Sequence, residues 1–491
     1  MRWPLYLKLK PLNKEVMYRF IFGLLSLVLF FSCSNKKEPP NILFIFADDQ
    51  CYKTIRELGN MEVQTPTLDE LAQQGTVFTT AYNMGGWHGA VCVASRTMLN
   101  TGRFLWSAEG VDNRPDLDSL AAAGKVWSKE MERLGYDTYM TGKWHVNIEP
   151  PTIFQHVGTV RGGMPRAVPE MYDRPLDEND WDWTPWDTAF GGFWEGGTHW
   201  SEVVANETMD FLDQASASEK PFFMYVAFNA PHDPRQSPKE YVDLYPLENI
   251  SVPESFLPEY PYKDSIGCSA SLRDERLAPF PRTEYSVIVH RQEYYAIISH
   301  LDAQIGRILD HLETNGLADN TYIFFSADHG LSVGHHGLIG KQSMYDHSMR
   351  PPLLVAGPGI PAGKRKDMEV YLQDIMPTVI EYAGGEVPDW VEFHSLKPLI
   401  EGENRDSNYP EVYGAYMDLQ RMIRMEDYKL IVYPRAGVVR LFDLVQDPEE
   451  KFDLAGASRQ QERVRSMFDK LVETQAEMGD TLKLDPAVFG I

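Results

Sequence analysis

Apolar positions in this chain follow two rhythms that alternate along its length. Unbroken apolar runs occur in "NILFIFADDQ", "YDTYMTGKWH", "PFFMYVAFNAPH", "TYIFFSADHG" and "PPLLVAGPG". Runs of that kind lack the polar alternation of a half-exposed strand, so they predict strands buried on both faces of a parallel sheet. Between them lie stretches with helical spacing. "TPTLDELAQQG" opens on Thr and Pro and stops at Gly75, and "SLAAAGKVWSKEMERLG" reads as one further helix. Tyr294, Ile298, Leu301, Ile305, Ile308 and Leu312 recur at spacings of three and four, which predicts a long amphipathic helix ended by Asn315-Gly316. Helices alternating with buried strands imply an α/β fold, a doubly wound and mostly parallel sheet flanked by helices.

The rhythm changes after about Gly385. "MIRMEDYKLIVYP" and "VVRLFDLVQDPEE" read as short antiparallel strands, and "RQQERVRSMFDKLVETQAEMG" as a terminal helix. A main domain over residues 41–385 and a smaller C-terminal α+β domain over 386–491 follow from that break. Two long stretches show neither rhythm. Residues 147–198 carry Trp181, Trp183, Trp186 and Trp194, with Trp200 just beyond, and residues 233–282 are rich in Pro, Tyr and Glu. Loops of that length in a compact domain are usually functional. Their aromatics would either stack on sugar rings or pin the loop to the body.

The first 33 residues read as a leader. Arg2, Lys8, Lys10, Lys14 and Arg19 precede the apolar run "FIFGLLSLVLFFS", which is too short to span a bilayer and suits a signal peptide. Ser32-Cys33 is similar to a bacterial lipoprotein cleavage site, and residues 34–40 would form a polar tether. The expectation is an exported bacterial protein, periplasmic or held at the outer membrane by a lipid on Cys33. Of four cysteines, Cys51, Cys92 and Cys268 then remain, which is no disulfide framework and leaves at least one thiol over. A Cys51–Cys268 bridge is one pairing that count allows.

Hydrophobic residues make up 43% of the 491 and charged residues 24%, an ordinary globular balance. The formal charge of -25 argues against nucleic acid as a partner, which would want a basic face. It does not exclude an anionic substrate in a locally cationic site.

Polar residues recur where the strand-like runs stop: Asp48 and Asp49, Lys143 and His145, His232, Asp328 and His329. In doubly wound sheets, ligands bind beyond those carboxyl ends. An Asp pair alone is as readily a helix cap, a lone Lys is usually solvated, and a lone His is often a satisfied interior group. Their joint placement carries the weight.

The motif "CVASRTMLNTG" resembles the signature of the formylglycine-dependent sulfatases, Cys-x-Pro-Ser-Arg followed by Thr-Gly, in the alkaline-phosphatase-like superfamily. "ADDQ", "GKWH", "APH", "ADHG", Lys341 and "LFDLVQDPEEKFDLA" resemble other segments of that family in the same order, and Ala94 stands where Pro is usual. The resemblance implies that a formylglycine-generating or anaerobic sulfatase-maturating enzyme oxidises Cys92 to formylglycine (3-oxoalanine), whose hydrate is the nucleophile. It implies Ca²⁺, or Mg²⁺, on Asp48, Asp49, Cys92, Asp328 and His329. Oxygen donors suit such hard cations; imidazole suits them less, and His329 stands where Asn is frequent.

Sulfate ester cleavage builds negative charge on sulfuryl oxygens and on the leaving alkoxide, which calls for fixed positive charge and a proton donor. The resemblance assigns Arg96 and Lys143 to holding the formylglycine hydrate and Lys341 to a sulfate oxygen. It assigns His145 to removing a proton as sulfate departs, and His232 to the sulfate and to protonating the leaving oxygen. His88, His199, Trp200, Arg235 and His336 stand beside these motifs or in the loops and are candidates for substrate contact, as are Arg103, Asp233, His335 and Tyr345. The expected activity is removal of sulfate from a sulfated carbohydrate, a polysaccharide or its oligosaccharides. The rivals are a phosphonate monoester or phosphodiester hydrolase with the same nucleophile, and a non-catalytic glycan-binding lipoprotein, which would predict a damaged ligand set.

Overall fold

A computed structural model describes residues 38–180, 182–402 and 406–491. The leader, Cys33, most of the tether and Trp181 lie outside the described residues. Eight strands form the main sheet in the spatial order Lys364–Lys366, Thr76–Phe78, Leu353–Ala356, Thr321–Ala327, Asn41–Ala47, Phe222–Ala227, Asp137–Lys143 and His156–Arg161. The last five run parallel. Leu353–Ala356, from the "PPLLVAGPG" run, is antiparallel to both of its neighbours.

The central strand shows why its sequence is apolar throughout. Ile42, Phe44 and Phe46 point into one core with Trp127, Tyr225, Met376 and Val379. Leu43, Ile45 and Ala47 point into the opposite core with Leu212, Ile297, Leu301 and Ile305. Successive side chains enter opposite faces, so a strand covered on both must be apolar at every position. Each fully buried side chain of this size contributes roughly 1.5–3 kcal/mol.

The helix Pro66–Gln74 forms where its Thr, Pro and Gly punctuation places it. Two other helices depart from their sequence reading. "SLAAAGKVWSKEMERLG" is split into Arg114–Ala122 and Trp127–Arg133, because Gly124 turns the chain with φ +74°. The long helix begins at Glu284, ten residues before the apolar periodicity becomes clear, where the Thr283 hydroxyl accepts a hydrogen bond from Ser286 N at 3.0 Å.

The stretch 147–198 contains the edge strand His156–Arg161, whose half-buried residues give no apolar run. Two of its described tryptophans pin the loop to the body: Trp183 packs against Leu277, Ala278 and Ile339, and the Trp186 ring lies 5.3 Å from Lys239 Nζ.

A second sheet holds Val438–Asp443, Tyr428–Tyr433, Gln420–Met425, Val412–Tyr416 and, at its edge, Gly85–Gly86. The first four are antiparallel. The helix Gln461–Glu477 packs Val464, Phe468 and Leu471 into the same cluster as Leu430, Leu441 and Phe442. Gly85 has φ +96°, and a Cβ there would lie 1.9 Å from Ala415 O. Only glycine lets the segment leading to Cys92 join this sheet so closely. Residues 40–491 form one compact unit.

Candidate active site

The carboxyl ends of the parallel strands deliver their polar residues to one place. Asp48 and Asp49 follow the strand Asn41–Ala47, Lys143 ends Asp137–Lys143, His232 lies five residues past Phe222–Ala227, and Asp328 and His329 follow Thr321–Ala327. Asp49 has φ +69°, a left-handed conformation that aspartate tolerates better than most residues and that recurs at functional sites. Tyr294 OH donates to Asp49 O at 2.6 Å and accepts from Cys51 N at 3.0 Å, which holds the turn.

Cys92 sits in the first turn of the helix Val91–Thr101, every residue of which is buried. Gly102 ends that helix with φ +65°, which accounts for the glycine of the Thr-Gly pair. Lys341 Nζ reaches Cys92 Sγ at 3.4 Å and both Asp49 oxygens at 2.8 Å. Burial would raise the Cys92 thiol, but the Lys143 and Lys341 ammonium groups and hydrogen bonds from His145 and His232 hold it well below its ordinary value.

Arg96 is fully buried and braces the centre. Its Nε donates to Asp328 Oδ2 at 3.0 Å and one terminal nitrogen to Lys143 O at 3.0 Å, while the guanidinium lies 4.7 Å from the Phe46 ring. Lys143 Nζ is hydrogen-bonded to Asp48 Oδ2. Ser95 Oγ and Asn83 Nδ2 both donate to Asp328 O, at 2.8 and 3.0 Å. Burial and the Asp328 carboxylate push Asp48 well above the usual carboxylate range, against the pull of Lys143. Burial also opposes ionisation of Asp328, yet His329 and Arg96 hold that carboxyl low.

Ligand atoms of Asp48, Asp49 and Asp328 lie within 4.8 Å of one another, and the same holds for Cys92, Asp328 and His329. Asp48 Oδ1 and His329 Nε2 are buried without a hydrogen-bond partner among the described residues, although His329 Nε2 lies 3.3 Å from Asp49 Oδ1. Three convergent carboxylates, with one oxygen and an imidazole nitrogen left unsatisfied, fit a hard divalent cation. His329 Nδ1 is engaged with Gly330 O at 2.9 Å, so its other nitrogen faces the carboxylates.

His145 is half-buried with φ +59°, and burial holds its imidazole below the ordinary histidine value. Gly163 lies against the ring, where a Cβ would approach Cε1 to 2.6 Å. His232 Nε2 is 3.7 Å from Asp49 Oδ2, and its Nδ1 is 2.9 Å from Asp233 O and 3.2 Å from Asp233 Oδ1.

The substrate candidates scatter. His199 is fully buried: its Nδ1 caps the helix Trp200–Ser216 by accepting from Ser201 N at 3.1 Å, and its Nε2 lies 3.0 Å from the loop carbonyl Gln236 O, so both ring nitrogens are engaged. Trp200 packs under Arg161 at 3.9 Å and donates to Glu195 O. His336 stacks on Tyr345 at 3.8 Å with Nε2 on Glu450 O. These three hold the interior together. Arg235 is 1% exposed and pairs with His290 Nδ1 at 3.0 Å. His88 lies at the entry to the Cys92 helix, accepting from Ala90 N at 3.1 Å. Cys51 and Cys268 are buried free thiols, so the Cys51–Cys268 bridge is not formed.

Sequence reasoning missed Tyr294, Asn83, Gly163 and Arg273. Tyr294 was legible only as one more apolar position of a helix, and the others stand outside any motif.

Comparison with known proteins adds the following. A profile of the sulfatase family matches residues 40–385, and one described as N-sulphoglucosamine sulphohydrolase, C-terminal, matches residues 334–477. An arylsulfatase of Clostridium perfringens is 30% identical across 89% of this chain and 95% of its own. An N-acetylglucosamine-6-O-sulfatase of Bacteroides thetaiotaomicron is 25% identical across 91% and 89%. Among solved structures, a protein in complex with its substrate D-glucosamine-2-N,6-O-disulfate shares the fold with TM-score 0.70 and 23% identity, over 90% of this chain and 99% of that one.

Proposed function

Because the chain belongs to the sulfatase family, we propose that it removes sulfate from a sulfated carbohydrate, a polysaccharide or its oligosaccharides, at the centre built around Cys92. One observation carries the reading: Cys92 lies between a carboxylate cluster suited to a divalent cation and a set of cationic and imidazole side chains suited to an anionic ester. The carbohydrate class is supported by the N-acetylglucosamine-6-O-sulfatase relative and by the structural neighbour bound to a sulfated glucosamine.

Asp48, Asp49 and Asp328 would hold Ca²⁺ or Mg²⁺, with His329 beside them. The cation would supply Lewis-acid charge to sulfate oxygens. A formylglycine at residue 92, when hydrated, would supply an oxygen nucleophile for sulfur. The remaining work belongs to side chains in place. Lys341 would set positive charge against a sulfuryl oxygen, and Lys143 would hold the oxygens of residue 92, where positive charge counts most as negative charge develops. Arg96 keeps Asp328 ionised and the end of the Lys143 strand fixed. His232 gives a proton from Nε2 to the ester oxygen as the S–O bond breaks, and sugar hydroxyl leaves. His145, held neutral by burial, would accept a proton as sulfate departs from residue 92, after which water restores the starting state. Water in, alcohol and sulfate out, balances the reaction. The leader would place this activity outside the bacterial cytoplasm, on a lipid-anchored protein.

The test is release of sulfate from a panel of sulfated mono- and oligosaccharides by protein produced with a maturating enzyme, alongside mass spectrometry of the peptide containing residue 92. Formylglycine in active material and turnover lost on chelation, then restored by Ca²⁺ or Mg²⁺, are expected. Cys92→Ala should fold and release no sulfate. Active protein carrying only an unmodified thiol would overturn the nucleophile, and phosphonate monoesters cleaved in preference to every sulfate ester would overturn the substrate class.

A further inference from the structure

The loop between Asp233 and Arg282 sends one side chain back to the centre. Arg273 lies forty residues beyond Asp233 in sequence, yet its guanidinium closes on that carboxylate, one nitrogen at 3.1 Å from Oδ1 and the other hydrogen-bonded to Oδ2. Asp233 Oδ1 is the same oxygen that lies 3.2 Å from His232 Nδ1. Arg273 is held in turn by Asp274, and Asp274 Oδ2 accepts from Gln342 Nε2 at 2.7 Å. Gln342 Oε1 then accepts from Lys341 N at 3.0 Å. One chain of contacts therefore runs from His232 through Asp233, Arg273, Asp274 and Gln342 to Lys341.

We propose that Asp233 and Arg273 are positioning residues for the proton donor His232, an inference that rests on the sulfatase reading. Both acceptors beside Nδ1, the Asp233 carbonyl and carboxylate, require a proton on that nitrogen. The transferable proton then stands on Nε2, which faces Asp49 and the reacting centre. A carboxylate behind the ring stabilises the imidazolium until transfer, and a bidentate guanidinium keeps that carboxylate ionised and in register. The demand is real because a sugar alkoxide is a poor leaving group without a proton. The rival role for Arg273, which is 32% exposed, is direct contact with substrate. The two roles differ in what they change.

Asp233→Asn and Arg273→Gln, assayed on the sulfated sugar that the wild type hydrolyses, should each lower kcat by about 10- to 100-fold with KM within about threefold. Arg273→Lys should recover part of the loss. The double variant should be no slower than Asp233→Asn alone, because Arg273 acts through Asp233. A rise in KM at unchanged kcat, or additive losses, would overturn the relay and make Arg273 a substrate contact. An arm independent of turnover uses protein labelled with ¹⁵N-histidine, the His232 signal being assigned by His232→Ala. In the wild type His232 should carry its proton on Nδ1, protected from exchange, and Arg273→Gln should remove that protection. An Nδ1 proton equally protected in Arg273→Gln sinks the relay. Wild-type protein that shows the protected proton but releases no sulfate would instead sink the sulfatase reading.

Discussion

Cys92 illustrates how little a residue says by itself. A buried cysteine is ordinarily a small apolar side chain. Here two ammonium groups and two imidazoles converge on it, and its sequence neighbours Ser95 and Arg96 turn inward to hold Asp328. The motif was readable because several residues of one helix serve one centre. Gly163 was not readable, since a glycine with negative φ has no sequence signature. Its absent side chain makes room for the His145 ring. Gly163→Ala should push that ring away from Cys92 and lower kcat by about 10- to 100-fold, with the unfolding midpoint nearly unchanged. Steady-state kinetics beside a thermal melt checks this, and wild-type kcat in the variant would show that the ring's position is immaterial.

At the scale of the element, the strand ends do the positioning. Asp137–Lys143 is buried between Phe222–Ala227 and His156–Arg161, and its last residue must turn toward the centre. Gly142 makes that turn with φ +93°, where a Cβ would stand 1.8 Å from Ala227 O. The glycine before Lys143 is thus a backbone requirement of the sheet, not a flexible spacer. Gly142→Ala should destabilise the fold by about 3 kcal/mol or more, combining strain with a clash against backbone. Urea denaturation measures it; a loss under about 1 kcal/mol would mean the strand end relaxes freely. The helix boundaries follow the same logic. Apolar periodicity located the long helix but not its first ten residues, whose extent depends on the Thr283 cap and on the contacts of His290 and Glu293 with Arg174.

Across the whole molecule, buried polar groups tie the C-terminal residues to the body. Lys429 Nζ, on the strand Tyr428–Tyr433, is fully buried between Asp346 and Glu450. Asp374 Oδ1 accepts from Tyr409 OH at 2.5 Å and His394 N at 3.0 Å, while Oδ2 accepts from Tyr371 N at 3.0 Å. Burial pushes the Asp374 carboxyl up to about 7. The unfolded chain titrates near the ordinary aspartate value of about 4, so between about pH 4 and pH 7 the folded state keeps a proton that the unfolded state releases. This group therefore favours folding at the acid end of that window, and its contribution falls as pH rises through it. Asp374→Asn should flatten the dependence of unfolding free energy on pH between those limits. Denaturant titrations at several pH values test it, and an unchanged slope in the variant would remove Asp374 as its source.

What the sequence determined alone was whatever rests on local periodicity and on residues adjacent in the chain. It held the buried strands, the alternation with helices, the antiparallel C-terminal strands, and the motif around Cys92 with the polar residues ending each strand. Both faces of a parallel sheet demand apolar residues at every position, and strand ends are where polar ones become tolerable, so these features are written in the order of the residues. The tertiary structure decided the rest: the reversed strand Leu353–Ala356, the Gly85–Gly86 strand lent to the second sheet, the enclosure of His199, Trp200 and His336, and the closing of Arg273 on Asp233. Those depend on which distant groups meet once the chain packs. A histidine or an arginine carries no mark of its partner until burial forces every polar atom to find one.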